Sequence, residues 1–565
     1  MSQCSHSMNP KNHDAPLENA PLVNIFLDGQ WVQAPKGMNV IEAAKLFGKE
    51  IPHYCYHPKL EIAGNCRMCL FEMGIPKLDA KKQIIIGNEG KPEIQWQPRP
   101  QIACATQIFE GMGIRTDSPL AQECRRSVLE FLLINHPLDC PICDQAGECQ
   151  LQEFSSQYGQ GESRFVEEKV KKSKRVDLGE RIILDAERCI LCSRCIRFAK
   201  EILHEDTLGF IKRGSHVEVS AHPCKKFDHP YSLNTVDICP VGALTSKDFR
   251  FQMRVWFLKD TKSICTGCAT GCNILIGSRE QKVYRLTPRE NEEVNSHWMC
   301  DFGRLNIHDM DDPQRIREPL ARENETLLSV AGNEIFRQIA QRMEGIRGNE
   351  IAVIASAKMT NEELFLLKQW TDAMDAAYVD IVPHTWEGDT FLKNADRNPN
   401  SVGARVVEIS HEGKKLSLLR DAILKGEIKA LFVFHEDAVE AGIDAMALDK
   451  LRILVAVSLV PNATTGKAHF VLPGCGFAEK SGTMINAKGR LQKLNRAVLP
   501  PWKEDWEIVR DLKMATTQGD SAPCAQKQTS PLENVFQEMA SKHKEFSGLA
   551  LNLIGSAGVQ LSLNL

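Results

Sequence analysis

Residues 188–195 read RCILCSRC, which sets Cys189, Cys192 and Cys195 at C-x2-C-x2-C spacing, and Cys239 follows in DICPVGALT (237–245). Thiols this close together suit an iron–sulfur cube, where each thiolate caps a separate iron, better than one tetrahedral ion such as structural zinc. The four cysteines are therefore expected to hold an iron–sulfur cluster rather than zinc.

Upstream, HPLDCPICDQAGEC (136–149) carries Cys140, Cys143 and Cys149, with His136 four residues ahead of the first. Three thiolates leave one metal position open, and the His136 imidazole is the borderline donor close by, so these four form a second set. A neutral imidazole in place of a thiolate removes one negative charge and should raise the potential. Further upstream, Cys55, Cys66, Cys69 and Cys104 are spaced C-x10-C-x2-C-x34-C. A plant-type [2Fe-2S] ferredoxin uses C-x4-C-x2-C with a distant fourth ligand. The wider first gap departs from that, and the long gap holds its own turn at Asn88-Glu89-Gly90. In GNCRMCL (64–70), Gly64 lets the backbone curl around a sulfide-rich core and the paired thiolates can share one iron. Downstream, Cys265, Cys268, Cys272 and Cys300 form a fourth set, C-x2-C-x3-C-x27-C, read as a cluster over zinc. A bacterial ferredoxin continues its triplet with a further cysteine for a second cluster. Here that position is Ala199, so the second cluster is lost.

Fifteen cysteines and His136 make sixteen ligands, four per cluster. Cys4, Cys124, Cys224, Cys475 and Cys524 remain and are read as bland; Cys224 and Cys475 in particular are expected to be packed small hydrophobes. The 565 residues are 43% hydrophobic and 25% charged, a soluble globular composition divisible into several domains. Net charge is −4, and the clusters would carry it to about −11, which excludes nucleic acid as a partner. No run reaches the length of a membrane helix, and the opening residues have neither the apolar core of an export signal nor an arginine before Arg67. No GxSxG, Walker loop or zincin motif occurs, and GMGIRT (111–116) lacks the last glycine of a dinucleotide fingerprint. Electron relay is the chemistry left.

VNIFL (23–27), Asp28-Gly29 and QWVQ (30–33) predict a hairpin with a tight turn. A helix follows with Val40, Ala43, Ala44 and Phe47 on one face and Gly48 as its cap, the order of a small β-grasp ferredoxin. Residues 119–135 predict a second helix with the stripe Leu120, Val128, Leu129, Leu132 and Leu133. The charged stretch 162–179 reads as a solvated connector without function. Past about Arg315, apolar strands at 351–354, 430–434, 453–460 and 469–472 alternate with helices such as 362–374, predicting α/β structure with a mainly parallel sheet.

At AGNCRMCL (63–70), HPLDCPICDQAGECQLQ (136–152), RCILCSRCIRF (188–198), CPVGALTSK (239–247) and RENEEVNSHWMC (289–300) the chain resembles the large iron–sulfur subunits of respiratory complex I. DRNPNSVGA (396–404) and LPGCGFAEKSGTMINAKGRLQ (472–492) resemble the degenerate molybdopterin-oxidoreductase-like domain of that family. The resemblance implies α/β and α+β domains in order: a disordered arm (1–22), a β-grasp [2Fe-2S] ferredoxin-type domain (23–118), a [4Fe-4S] segment with one histidine and three cysteine ligands (119–165), a ferredoxin-like [4Fe-4S] domain (180–257), a Mo/W-bis-MGD-type [4Fe-4S] domain (258–315) and a truncated molybdopterin-oxidoreductase-like domain (316–565). It implies one [2Fe-2S] cluster on the Cys55 set and [4Fe-4S] clusters on the other three. Electrons from NADH would arrive through a flavin-bearing subunit, pass from the first cluster to the Cys189 and His136 clusters, and leave to a ferredoxin-like eight-iron subunit. A small [2Fe-2S] subunit completes the implied partners, and the Cys265 cluster lies off the route. The implied setting is a proton-translocating NADH:quinone oxidoreductase on the cytoplasmic side of a bacterial inner membrane, held there by partners, with no catalytic site in this chain. Molybdenum is not expected, because residues 301–474 contain no cysteine to ligate it. The alternative is a diaphorase- or formate-dehydrogenase-type iron–sulfur subunit of a soluble NAD-linked complex.

Overall fold

The first strand, Leu22–Leu27, pairs antiparallel with Gln30–Pro35, and Asp28 (φ 46°) and Gly29 (φ 96°) supply the left-handed backbone of the tight turn between them. In this computed structural model residues 20–87, 90–517 and 532–563 are described. Most of the expected N-terminal arm, Asn88 and Glu89 of the expected turn, Cys4 and Cys524 lie outside the described residues. The chain divides into two units, residues 1–256 and 257–565.

In the first unit, Met112–Arg115 runs parallel to the first strand, and Leu70–Pro76 and Ile94–Trp96 extend the sheet antiparallel. Helix Val40–Leu46 ends as expected: Gly48 takes φ 70°, its N–H donates to Lys45 O at 3.1 Å, and Lys49 N donates to Ala44 O at 3.0 Å. Its buried residues are Val40, Ile41, Ala43 and Ala44. Phe47, expected among them, is 38% exposed because the helix stops before it and the backbone turns away. The core holds Ile25, Phe71, Met112 and Ile114 together with Cys69 and Cys104, so two candidate ligands are part of the packing itself.

Helix Pro119–Leu133 begins where Ser118 Oγ accepts the Ala121 N–H at 3.2 Å. It buries Ala121, Arg125 and Leu129, not the expected leucine stripe; of that stripe only Leu129 is buried. Arg125 wins the inward position because its guanidinium donates to Thr116 O and lies 4.9 Å from the Tyr158 ring centroid, which satisfies the charge while its stem packs. The charged stretch after it is not a free connector. Lys169 Nζ donates to Leu133 O and Ile134 O, both at 2.8 Å, closing the end of that helix, and Lys174 Nζ lies 2.6 Å from Asp139 and 2.8 Å from Glu187. A three-stranded sheet (Val176–Asp177, Ile182–Leu184, Leu244–Ser246) and a hairpin (Leu208–Ile211, Glu218–Ala221) complete the unit. Cys224, expected to be packed, is instead exposed on the turn after that hairpin, in a stretch whose residues His222, Pro223, Lys225 and Lys226 are exposed as well.

The second unit opens with an antiparallel sheet, Lys259–Ile264, Asn273–Arg279 and Lys282–Pro288. Its centre is a seven-stranded sheet in which Tyr378–Ile381, Ile351–Ala355, Ala430–Phe434, Ile453–Ser458 and Phe470–Pro473 are successive parallel neighbours, with two antiparallel strands at one edge. Alternate residues enter different cores: Phe432 and Val455 join Trp370 on one face, Leu431 and Leu454 join Leu419 on the other. Burial on both faces explains why these strands are continuous apolar runs. No helix among the described residues is long and apolar enough to cross a membrane.

Candidate metal centres

All sixteen expected donors fall into four groups in space. In the first group the thiols that approach each other are Cys55 with Cys66 and Cys69 with Cys104, rather than the sequence neighbours Cys66 and Cys69. Hydrogen bonding from the Cys66 thiol draws Cys55 down to about 5, while Cys66 itself is pushed up; hydrogen bonding from Cys104 likewise lowers Cys69, and Cys104 is raised. Gly64 (φ 60°) and Arg67 (φ 59°) turn the backbone through the left-handed region on either side of Cys66.

His136, Cys140, Cys143 and Cys149 line one cavity with Asp139, Gln152, Arg188 and Gly242. Burial, then the Arg188 cation, holds the His136 imidazole down to about 4, so it is neutral and free to donate a lone pair at pH 7. Gly242 has no room for a Cβ beside Cys143 Sγ. Arg188 is fixed by Asp139 Oδ2 at 3.0 Å and Asp185 Oδ2 at 3.2 Å.

Cys189, Cys192, Cys195 and Cys239 line an apolar cavity with Leu184, Val219, Val241 and Arg194. Leu191 (φ 57°) and Ser193 (φ 62°) alternate the chain through left-handed backbone, which turns successive sulfurs inward, and Leu191 N donates to Cys189 Sγ at 3.4 Å. Burial raises all four thiols, Cys189, Cys192 and Cys239 to about 11.

In the second unit Cys265, Cys268, Cys272 and Cys300 line a cavity with Met299, Phe302, Trp386 and Leu392. Gly267 N and Gly303 N donate to Cys265 Sγ (3.4 Å) and Cys300 Sγ (3.3 Å), and a Cβ on Gly303 would come within 2.7 Å of Cys265 Sγ. The Phe302 and Trp386 rings meet edge to face at 4.6 Å over this cavity.

Three or four thiols facing one space, most of them buried or half-buried, are poor neighbours as thiolates unless cationic metal centres compensate them, so these donor sets fit iron–sulfur clusters. Cys475 is 5% exposed and its thiol donates to Lys503 O at 3.2 Å, a packed residue as expected. Sequence reasoning does not find Arg188, Arg194 or Trp386. Trp386 carries no local signal, whereas both arginines sit inside the cysteine motif itself.

Family models match in chain order: a 2Fe-2S iron-sulfur cluster binding domain (20–119), an NADH-ubiquinone oxidoreductase-G iron-sulfur binding region (125–164), the ferredoxin-like domain of NADH-quinone oxidoreductase subunit 3 (179–245), an NADH-ubiquinone oxidoreductase NDSU1/NuoG-like 4Fe-4S domain (258–308) and molybdopterin oxidoreductase (379–515). The G subunit of the NADH-quinone oxidoreductase of Rickettsia felis is 42% identical over 61% of this chain and 48% of its own length. The mitochondrial NADH dehydrogenase [ubiquinone] iron-sulfur protein 1 of Solanum tuberosum is 39% identical over 66% of this chain and 47% of its own. The NADH-ubiquinone oxidoreductase 75 kDa subunit of Reclinomonas americana is 36% identical over 67% and 53%. The chain spans about half the length of the curated relatives it matches.

Proposed function

We propose that this relative of the NADH-quinone oxidoreductase G subunits is an electron-relay subunit in the peripheral arm of such a complex, taking electrons from an NADH- and flavin-binding partner and passing them toward quinone. Cys55, Cys66, Cys69 and Cys104 would hold a [2Fe-2S] cluster, with Cys55/Cys66 on one iron and Cys69/Cys104 on the other. The His136, Cys189 and Cys265 sets would each hold a [4Fe-4S] cluster. When bound, such clusters supply reversible one-electron storage. The chain fixes their ligands, excludes water and sets the local charge. The partners would be the flavin subunit, a small [2Fe-2S] subunit and an eight-iron ferredoxin-like subunit, and they would hold the chain at the membrane's cytoplasmic face.

The observation that carries this reading is the bonding between ligand loops in the first unit. From the third site, Arg197 donates to Cys55 O, Arg194 Nη2 donates to Tyr56 O at 2.5 Å, and Leu191 O accepts from Asn65 Nδ2 at 3.2 Å. On its other side, Pro240 O accepts from Gln150 N at 3.1 Å and Gly242 lies against Cys143. The third donor set is thus bonded to both others, which supports the order first, third, second.

In the assembled complex Cys192→Ser should abolish NADH-to-quinone turnover, whereas Cys265→Ser should impair assembly or stability more than throughput. Equal loss of turnover in properly assembled complexes would overturn the off-route position of the Cys265 set.

A further inference from the structure

Two buried arginines line the first unit's His136 and Cys189 cavities, and each keeps an N–H group with no hydrogen-bond partner among the described residues. Arg194 is 6% exposed; its Nη1 donates to Ile238 O at 3.1 Å and its Nη2 to Tyr56 O, but its buried Nε has none. Arg188 is 4% exposed; its Nε and Nη2 serve Asp139 and Asp185, and its buried Nη1 has none. Leaving a guanidinium N–H buried and unmet is costly, and few native groups are left so. Each arginine shares its cavity with one set of four candidate ligands.

We propose that Arg194 Nε and Arg188 Nη1 are N–H···S donors to the clusters of the Cys189 and His136 sets, and that they hold those two potentials above the values their thiolates alone would give. The inference rests on the relay reading. Reduction adds an electron to an already anionic centre, so a permanent cation and a donor hydrogen bond favour the reduced form. Arg194 is anchored on carbonyls, so its charge acts in full, whereas Asp139 and Asp185 cancel part of the charge on Arg188. The Cys265 cavity differs: among the described residues its lining carries no cationic side chain. The chain thus raises two sites on the proposed route and leaves the off-route site untuned by such a donor.

The test is an EPR-monitored redox titration of the full chain, matured anaerobically, as wild type, Arg194→Met, Arg194→Lys and Arg188→Met. Arg194→Met should disfavour reduction of the Cys189 cluster about tenfold, ~59 mV downward for one electron. Arg188→Met should lower the His136 cluster by less, Arg194→Lys should recover part of the loss, and the Cys265 cluster should not move. A fully loaded Arg194→Met chain with an unmoved Cys189 midpoint overturns the proposal. Should that variant fail to load, wild-type protein with 15N-labelled arginine decides: 15N hyperfine coupling on the two cluster signals is expected, and its absence overturns the assignment. A wild type with no cluster signals would refute the relay reading, whereas intact clusters without the coupling would refute only the arginine donors.

Discussion

His136 differs from the three cysteines beside it in charge: as cluster ligands the cysteines would bind as thiolates and the imidazole as a neutral donor, the form that burial and Arg188 favour. His136→Cys adds one negative charge to the centre and should lower its potential by on the order of 100 mV, the scale of histidine-for-cysteine differences among [2Fe-2S] centres. A titration showing no downward shift would contradict imidazole ligation. The grouping of the sixteen candidate donors in space is legible at this scale because metal chemistry constrains spacing directly. Which thiols approach each other in the first set is not, since Cys66 and Cys69 are close in sequence while the fold brings Cys55 to Cys66. Arg188 and Arg194 are equally hidden: an arginine beside a cysteine reads as a surface cation until burial places it. Cys224 departs in the opposite direction, because it lies on a turn whose residues 222–226 are all exposed.

Among the elements, the parallel strands of the second unit are legible because covering both faces forces unbroken apolar runs, and the first hairpin because Asp28-Gly29 fixes its turn. The face of helix Pro119–Leu133 is not, since Arg125 takes an inward position through partners outside the helix. Lys169 likewise finds its carbonyls only in three dimensions. A titrating group joins two of the parallel strands. His469, just before Phe470–Pro473, accepts the Leu454 N–H at Nδ1 (2.9 Å), and burial, then Arg342 and Arg322, hold it down to about 4. Its folded value lies below the ordinary 6.5, so the unfolded chain takes up the proton more readily. The contribution is fully present above about pH 6.5 and fades as pH falls toward 4. After allowance for partial exposure the loss is about 1 kcal/mol. Urea unfolding at pH 7 and pH 4.5 should show a stability loss for the second unit that is larger in wild type than in His469→Gln by about that amount; equal losses in the two proteins would assign it elsewhere.

Over the whole molecule the two units have different means of cohesion. The second closes a large apolar core around its sheet. The first has a smaller core under its six-stranded sheet and beside it ligand loops tied to one another by arginine–carbonyl bonds, where bound metal would supply much of the stability. The order of the domains is legible because each metal set has its own spacing and lies in its own stretch of chain. The bonds between sets are not, since Arg194 and Tyr56 stand 138 residues apart. Anaerobic purification of the full chain, with iron and sulfide counted and EPR recorded after reduction, tests the central claim most directly. Four clusters predict about fourteen irons and fourteen sulfides per chain, with paramagnetic signals on reduction. A faithfully matured protein that is colourless, EPR-silent and loaded with zinc would contradict it.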